Sequence, residues 1–368
     1  MKTHLTKWLF KRAIDKINIR PQLHTVRMLK GIKVKLVAVA KNESPYLAEW
    51  IYHHLYFGFA QIEIHFNQCS DNTVQLLRAL GHPSVSVINA DAAFDRAVDS
   101  PQVHIYRKAF DTAWHEGYTH IMFLDIDEFW LPTNLQDSIS KWVGRQKKSD
   151  VLCFNWLNKT NEGSPFSSLL SEPTLDFEAA EQVKSLYKTL VKPVTMNPHN
   201  VIDSALRYNR DNGEEFKPIN THYSRTTAIE LPFSTDRAVV IHRKYRSEHE
   251  YLALLGRGRP IGSANCNSIF KDNRDGYINE KPKLHYRFNE VAFCNYRNYM
   301  HSCMSSAGTQ KEISLGREFV EQRYKDVIAL IANAPVSEKQ TLNRLLKNVK
   351  DPQALHAWKQ FKTRHTIN

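Results

Sequence analysis

The sequence predicts an α/β fold with a doubly wound, mostly parallel sheet. Two observations carry this prediction: apolar runs typical of strands alternate with segments of helical periodicity from residue 33 to residue 128, and polar side chains follow the first, second and fourth of these runs. Alternating strands and helices are typical of sheets with helical crossovers. Ligands of such sheets bind at the carboxyl ends of the strands. The polar clusters therefore mark a candidate site.

The alternating region divides into four strands and the helices between them. Ser44 and Pro45 are suited to be the N-cap and first residue of a helix, and Gly81 is suited to end one. The predicted elements are, in order, a strand at 33–40, a helix from residue 44 with apolar residues at 47, 51 and 55, a strand at 62–66, a polar turn at 67–73, a helix at 74–80, a strand at 85–88, a helix at 102–115 and a strand at 120–124.

The alternation weakens after residue 130. Strands are predicted at 151–156, 189–191 and 238–242 and a helix at 248–255, whereas residues 158–235 are polar without a clear period. From about residue 316 the chain has helical periodicity, interrupted at Pro335 and Pro352. We therefore predict three parts: a basic amphipathic leader at 1–32, a catalytic domain at 33–260 and a mostly helical C-terminal extension at 261–368.

Positive charge is concentrated at the two ends of the chain. The formal net charge is +12, yet residues 1–35 hold ten Lys or Arg and one acid, and residues 341–368 hold six and one, so the remainder is close to neutral. A nucleic-acid-binding protein is expected to be basic over its main surface, so this distribution argues against nucleic acid. Because Trp8, Trp358 and Phe361 lie among the terminal basic residues, it favours contact with an anionic membrane face.

The cysteines and the hydropathy predict a location. The five cysteines are odd in number and lack CxxC spacing, which favours free thiols in a reducing compartment. The first apolar run is too short for a signal peptide, and no stretch reaches the roughly 18 apolar residues of a membrane span. We expect a cytoplasmic protein that is at most peripheral to the inner face of the cell membrane, the alternative being that the apolar faces of the terminal helices pack on the catalytic domain.

Three carboxylates, Asp125, Asp127 and Glu128, follow the fourth predicted strand. Neighbouring like charges repel unless a cation or a proton neutralises them, so replacing Asp127 by Asn is expected to leave the fold intact or to stabilise it. Strand alternation is expected to point Asp125 and Asp127 to one side, within reach of one Mg²⁺ or Mn²⁺ that binds a diphosphate. Short acidic pairs are also common in solvated loops and helix caps, so the motif alone leaves both interpretations open.

Polar residues after the first two strands are placed to contact a nucleotide. The set is Lys41, Asn42, Glu43, Asn67 and Asp71. In doubly wound sheets these positions meet base and ribose, whose hydroxyl and ring N–H groups donate to carboxylates and amides. Neither glycine-rich phosphate motif, G-x-G-x-x-G or G-x-x-x-x-G-K-[ST], is present. The alternative is that Ser44, Ser70 and Asp71 cap helices.

A third cluster follows the apolar run at 238–242. His242 can complete a metal site, and Arg246 and Arg257 can neutralise phosphate oxygens. The chain contains 17 histidines, so the alternative is that His242 is a hydrogen-bonded structural residue.

Taken together and in order, these clusters resemble glycosyltransferases of the GT-A fold, in particular the family-2-like and family-92 group. The pattern K-N-E-x-x-Y-L-x-E-W-x-x-x-H-x-x-x-G is matched from Lys41 to Gly58, and F-L-D-x-D-E-F is matched from Phe123 to Phe129. An N-x-x-S-x-D-like turn is approximated by Asn67, Ser70 and Asp71. A late H-Y-x-x-K-S-x-E-x-F…R-G block is similar to the stretch from His242 to Gly258, with Arg243 in place of the tyrosine.

The resemblance covers roughly residues 33–260. It implies transfer of a sugar, such as a hexose, from a nucleotide diphosphate donor, foremost a UDP-sugar, to a hydroxyl of a glycan or glycolipid of the lipopolysaccharide or capsule type. It further implies a cation, Mn²⁺ or Mg²⁺, held by Asp125, Asp127 and His242, with Glu128 in the catalytic site. If the anomeric centre inverts, a general base activates the acceptor. Candidate bases downstream are Asp203, Glu214 and Glu215.

Two other functions stay open. A strand that ends in D-x-D also resembles the nucleophile motif of haloacid dehalogenase phosphatases and phosphotransferases, with Asp125 as nucleophile, although Phe129 replaces the Thr or Val of that motif. Beryllofluoride trapping at Asp125 would distinguish it. The other alternative is a non-enzymatic membrane-surface adaptor in which the acidic cluster is a calcium or structural site. Nucleotides are then expected to leave the melting temperature unchanged.

Overall fold

A mixed sheet of ten strands forms the centre of the protein. The computed structural model describes residues 31–95, 100–146, 148–193, 195–227, 236–257, 268–278 and 284–365. The strands in these ranges are β1 (Val34–Ala40), β2 (Gln61–Phe66), β3 (Val85–Asn89), β4 (His120–Phe123), β5 (Glu128–Pro132), β6 (Val151–Lys159), β7 (Thr174–Lys188), β8 (Thr195–Met196), β9 (Val201–Ile202), β10 (Tyr208–Arg210), β11 (Ala238–His242) and β12 (Leu284–Arg287).

Helices cover the sheet and make up most of the C-terminal part of the chain. In the same ranges they are α1 (Ser44–Tyr56), α2 (Thr73–Leu80), α3 (Asp91–Asp95), α4 (Pro101–Ala113), α5 (Ile139–Arg145), α6 (Glu248–Leu255), α7 (Glu290–Met304), α8 (Ala307–Asn333), α9 (Lys339–Leu345) and α10 (Pro352–Arg364), with a 3₁₀ turn at Val336–Glu338. None of these helices is both long enough and apolar enough to cross a membrane.

The strand order of the sheet is β3-β2-β1-β4-β7-β6-β11-β5, with β10 beside β6 and β12 beside β7. The strands β3, β2, β1 and β4 pair in parallel, as do β6 and β11, whereas β7 and β5 run against their neighbours. The predicted α/β class with a mostly parallel sheet is confirmed. Because β1, β2, β4, β6 and β11 all run in one direction, their carboxyl ends lie on one side of the sheet, called here the C-terminal edge.

The elements predicted between residues 33 and 124 are confirmed, with ends displaced by at most two residues. Gly81 ends α2 in the left-handed conformation with φ 50°, as expected of a residue without a Cβ. The N-cap prediction is wrong by one residue. Glu43 precedes the first helical residue of α1, and Ser44 is inside the helix, where its N–H donates to Asp71 Oδ2 at 3.0 Å.

Six strands of the described residues were not predicted from the sequence, namely β5, β7, β8, β9, β10 and β12, of which β5 and β7 are the longest. The strand β5 follows β4 after a turn at 125–128, and the fifteen-residue β7 lies within the polar stretch 158–235. The strand predicted at 189–191 is wrong, because β7 ends at Lys188 and the chain turns there. Buried charged residues of β7, such as Lys184, interrupt the apolar pattern that identifies a strand.

The C-terminal part is not purely helical, because β12 joins the central sheet beside β7. Residues from Lys33 onward form one compact unit, so the boundary predicted at 260 lies inside it. Helical structure begins at Glu290 rather than near residue 316. The leader predicted at 1–32 lies almost wholly outside the described residues.

The long helix α8 packs against α1, α6 and α10. At Gly316 of α8 an added Cβ would lie 2.8 Å from the backbone nitrogen of Pro45, so glycine is needed for the close approach of α8 to the start of α1. In α10, Phe361 is buried and Trp358 packs against the same apolar cluster. Trp358 and Phe361 therefore face the protein, as the apolar side of an amphipathic helix commonly does, whereas Leu355 is exposed.

Candidate functional site

The turn that carries the three carboxylates, residues 125–128, is fastened to α1. Trp50 Nε1 donates to the carbonyl oxygens of Asp125 at 3.1 Å and Glu128 at 2.7 Å. The turn also closes on itself, because the Asp125 N–H donates to Glu128 Oε2 at 2.9 Å and the Glu128 N–H donates to the Asp125 carbonyl at 3.0 Å. A fixed turn at the end of β4 presents its side chains in set directions.

Asp125 and Asp127 have different partners. Asp125 Oδ1 accepts from Gln102 Nε2 at 2.8 Å, and its Oδ2 lies 3.2 Å from Lys184 Nζ. Asp127 faces His242 instead. Because β4 ends at Phe123 and residues 125–128 form a turn, strand alternation does not set the directions of these two side chains.

Glu128 is enclosed. Its side chain is 1% exposed and its Oε2 lies 2.9 Å from Lys184 Nζ. Burial favours the neutral amine of Lys184, but the charges of Asp125 and Glu128 outweigh it and raise the pKa of Lys184. The predicted catalytic residue Glu128 is therefore placed as a partner of a buried ammonium group and does not reach the surface.

Asp127 is the carboxylate that faces His242 across the C-terminal edge. Its Oδ2 lies 3.5 Å from His242 Nε2, and its side chain is 26% exposed. The other ring nitrogen of His242 lies 3.0 Å from Asn158 Oδ1, and the ring stacks on Trp156 with centroids 4.3 Å apart. These contacts fix the orientation of the imidazole, so its Nε2 is held toward Asp127.

Positive charge keeps Asp127 ionised. Burial alone would raise its pKa, but His242, Arg246 and Arg274 outweigh burial and hold the pKa of Asp127 well below its usual range. The like-charge repulsion expected from the sequence is thus overcome by neighbouring cations of the protein itself.

Glu43 joins the first sequence cluster to the third. Its carboxylate lies 2.7 Å from Arg257 Nη1 and 3.4 Å from Arg246 Nη2. The Arg246 guanidinium also lies over the Tyr46 ring, 3.4 Å from its centroid. The two contacts of Glu43 join residues more than 200 positions apart at the C-terminal edge.

The remaining predicted nucleotide-binding residues hold the loops at this edge. Asn42, at φ 55°, accepts from the Ser70 and Asp71 N–H groups. Asp71 accepts from the N–H groups of Ser44 and Thr73, the first residues of α1 and α2, although the N-caps of these helices are Glu43 and Asn72. Other contacts are Lys41 Nζ with Gln68 Oε1 at 3.2 Å and Asn67 Nδ2 with the Ala40 carbonyl at 3.3 Å.

The three candidate bases lie away from the C-terminal edge. The Glu214 carbonyl accepts from the Arg210 N–H of β10, and Glu215 pairs with Asn209 in an isolated antiparallel β-bridge. The Asp203 carbonyl accepts from the Tyr208 hydroxyl. The strand β10 pairs with the first residues of β6, whereas His242 pairs with Asn158 near the end of β6. The structure therefore does not bring these acids to Asp127.

Four basic residues near Glu43 or the carboxylates of the turn carry no motif in the sequence. Lys184 pairs with Asp125 and Glu128, and Lys271, Arg274 and Arg323 lie within electrostatic reach of Asp127 or Glu43. They come from β7, from the segment 268–278 and from α8. A buried lysine in a polar stretch and basic residues far along the chain give no local signal, so only the fold could identify them.

No three or more His, Cys, Asp or Glu side chains in the described ranges are grouped as ligands of one metal ion. No family model matches the chain, and a search of curated proteins also gave no match. The geometry of the C-terminal edge is therefore the basis of the functional proposal.

Proposed function

We propose that this protein is a glycosyltransferase of the GT-A type that moves a sugar from a nucleotide diphosphate donor to a hydroxyl of a glycan or glycolipid. The supporting observation is the convergence at the C-terminal edge. Asp127 faces His242, and Glu43 contacts Arg246 and Arg257, although these residues come from separate blocks of the sequence. They are the blocks that resemble the family.

A divalent cation fits between Asp127 and His242. A carboxylate oxygen and an imidazole nitrogen are suitable ligands for Mn²⁺, and Asn158 on the other ring nitrogen is the kind of partner that orients a metal-binding histidine. When bound, the cation would neutralise negative charge on the departing diphosphate. Asp125 is engaged with Lys184 and Gln102, so in this proposal it positions the turn.

The chain's own residues then bind and orient the donor. Arg246 and Arg257 lie where phosphate oxygens would be neutralised, and Glu43 holds both side chains in place. Asn42 and Asp71 shape the loops beside this position, where base and ribose bind in sheets of this class. The most fitting donor is a UDP-sugar, by the resemblance alone.

The test measures donor binding and turnover in the full-length protein. UDP-, GDP- and CMP-sugars are screened for a rise in melting temperature with and without Mn²⁺, and release of the nucleoside diphosphate is then followed. We expect one donor class to stabilise the protein and Asp127→Asn to abolish turnover. The matched control is Asp111→Asn, an exposed aspartate of α4. Wild-type turnover in Asp127→Asn, or full turnover in excess EDTA, would contradict the cation site.

We further propose that the acceptor is lipid-linked and that residues 1–32 bring the enzyme to an anionic membrane. The aromatic side chains of α10, Trp358 and Phe361, pack inward, so the N-terminal basic segment is the end to test. Flotation with liposomes of graded anionic lipid content should show binding that falls with salt and disappears when residues 1–30 are deleted. Binding that ignores both anionic lipid and salt overturns the electrostatic contact.

A further inference from the structure

Five basic side chains gather around Glu43 and Asp127 at the C-terminal edge. They are Arg246, Arg257, Lys271, Arg274 and Arg323. They come from the turn after β11, the end of α6, the segment 268–278 and α8. We call this set the basic pocket.

Two ion pairs and several longer-range electrostatic interactions link the members of the basic pocket. Arg246 and Arg257 both pair with Glu43. The charges of Arg257 and Arg274 act on Lys271. The charges of Arg257 and Arg246 act on Arg323. The five side chains thus form one cluster.

The pocket carries more positive than negative charge. Five cationic side chains lie among three carboxylates, those of Glu43, Asp127 and Glu250, all of which interact with Arg246. Burial and the neighbouring arginines lower the pKa of Lys271 to about 8 and also lower the pKa of Arg323. Bringing like charges together away from water is unfavourable unless an anion neutralises them.

Several donor atoms of the pocket have no acceptor. Among the described residues, Arg323 Nε and Nη1 and Arg274 Nε are buried without a hydrogen-bond partner. An unpaired buried donor is costly, and the planar guanidinium group matches the geometry of phosphate oxygens. Arg246 has a left-handed backbone at φ 53°, a strained conformation for a non-glycine residue that is common at ligand sites.

We propose that the basic pocket binds a phosphoryl group with two or more negative charges, with Arg274 and Arg323 as its direct hydrogen-bond donors. The ligand can be the diphosphate of a nucleotide donor or a phosphate carried by the acceptor, because both present the same oxygens. The assignment of the diphosphate to this pocket rests on the proposed function. Binding of the anion itself does not, because charge and unpaired donors define the pocket.

The first experiment titrates the full-length protein with inorganic pyrophosphate by calorimetry in the presence of EDTA. We expect binding of one pyrophosphate per chain and a Kd about tenfold weaker in Arg323→Gln and in Arg274→Gln, since each loses charge-assisted hydrogen bonds. The matched control is Lys325→Gln, which removes one charge from an exposed position of α8 and should leave Kd unchanged.

A second measurement separates lost binding from lost folding. Without ligand, Arg323→Gln should melt at or above the wild-type temperature, because it removes a buried cation with unpaired donors. Pyrophosphate should raise the melting temperature of the wild type and of Lys325→Gln but not of the Arg323→Gln protein. No pyrophosphate binding by the wild type, or equal Kd values in Arg323→Gln and Lys325→Gln, would falsify the pocket.

Competition distinguishes the two sources of the phosphoryl group. If UDP displaces pyrophosphate, the basic pocket binds the diphosphate of the nucleotide donor, and both the anion site and its assignment to the donor are supported. If UDP and pyrophosphate bind together, the pocket serves a second phosphate and the donor assignment is wrong, whereas anion binding by the pocket stands. Sugar transfer is measured separately, so its absence does not affect this result.

Discussion

The two aspartates of the D-x-D turn lie two positions apart and have opposite surroundings. Asp125 lies on the side of Lys184 and Glu128, where one ammonium group is enclosed by two carboxylates. Asp127 lies on the side of His242 and the basic pocket, where carboxylates are outnumbered by cations. Asp125, although 39% exposed, is paired with Lys184, whereas Asp127 lies beside an excess of positive charge that an anion neutralises in our proposal. In this proposal the turn combines a structural half at Asp125 with a ligand-facing half at Asp127.

The largest effect is expected on the structural side. Replacing Lys184 by Met leaves the buried Glu128 and its neighbour Asp125 without their cation, and breaking a buried pair in this way costs about 3–5 kcal/mol. The free energy of unfolding, measured with denaturant, should fall by that amount. The control Lys188→Met removes a partly exposed lysine of the same strand, 3.0 Å from Asp150, and should cost about 1 kcal/mol or less.

A second substitution tests whether the loss arises from uncompensated charge. Adding Glu128→Gln to Lys184→Met removes the enclosed carboxylate, so the double variant should recover part of the lost stability. If the double variant loses as much unfolding free energy as the two single variants together, Lys184 stabilises the turn through packing. The charges around Asp125 then do not explain the stability of the structural half.

The contrast between the two sides was only partly predictable from the sequence. The strands β1 to β4 and their helices were predictable because their apolar periodicity is local. The meeting of the three polar clusters at one edge was predictable as well, since parallel strands bring their carboxyl ends together there. The separate roles of the two aspartates depend on a turn that breaks strand alternation and on Lys184, which lies 59 positions away on a strand that the pattern does not reveal.

For the same reason, the motif alone does not tell whether replacing Asp127 by Asn raises or lowers the stability of the fold. Three adjacent acids suggest repulsion, so removing the charge of Asp127 is expected to be harmless or stabilising. In the fold, Arg246 and Arg274 lie near Asp127, from segments that follow it by more than a hundred residues. The net interaction at Asp127 is therefore attractive, and the expected sign is reversed.

An intermediate effect is expected at Lys271 in the basic pocket, whose charged neighbours are Arg257, Arg274, Asp127 and Glu43. Burial and the two arginines lower its pKa from 10.5 to about 8, so the folded state disfavours the charged form. This penalty is complete below pH 8 and is relieved as pH rises toward 10.5. Between pH 8 and pH 10 the wild type should therefore gain about 2 kcal/mol of unfolding free energy relative to Lys271→Met.

Denaturant unfolding of both proteins across this pH range tests that expectation, because titrations that they share cancel in the difference. Lys325→Met, at an exposed position of α8, is the control and should run parallel to the wild type. A difference between wild type and Lys271→Met that stays constant or shrinks with rising pH contradicts an excess of positive charge around Lys271.

The smallest effect on stability is expected at Asp127, on the ligand-facing side. Its folded-state pKa is depressed, so its ionised form contributes stability that is present above the unfolded value of 3.8 and is lost as pH falls below it. Because the side chain is 26% exposed, solvent screens the interaction and we expect Asp127→Asn to cost about 1 kcal/mol at pH 6. The gap to the wild type should close toward pH 3, whereas Asp111→Asn should show no such trend. A variant more stable than the wild type at pH 6 would mean that repulsion from Asp125 and Glu128 exceeds attraction by the basic pocket, and the division of the turn into two halves would then be wrong.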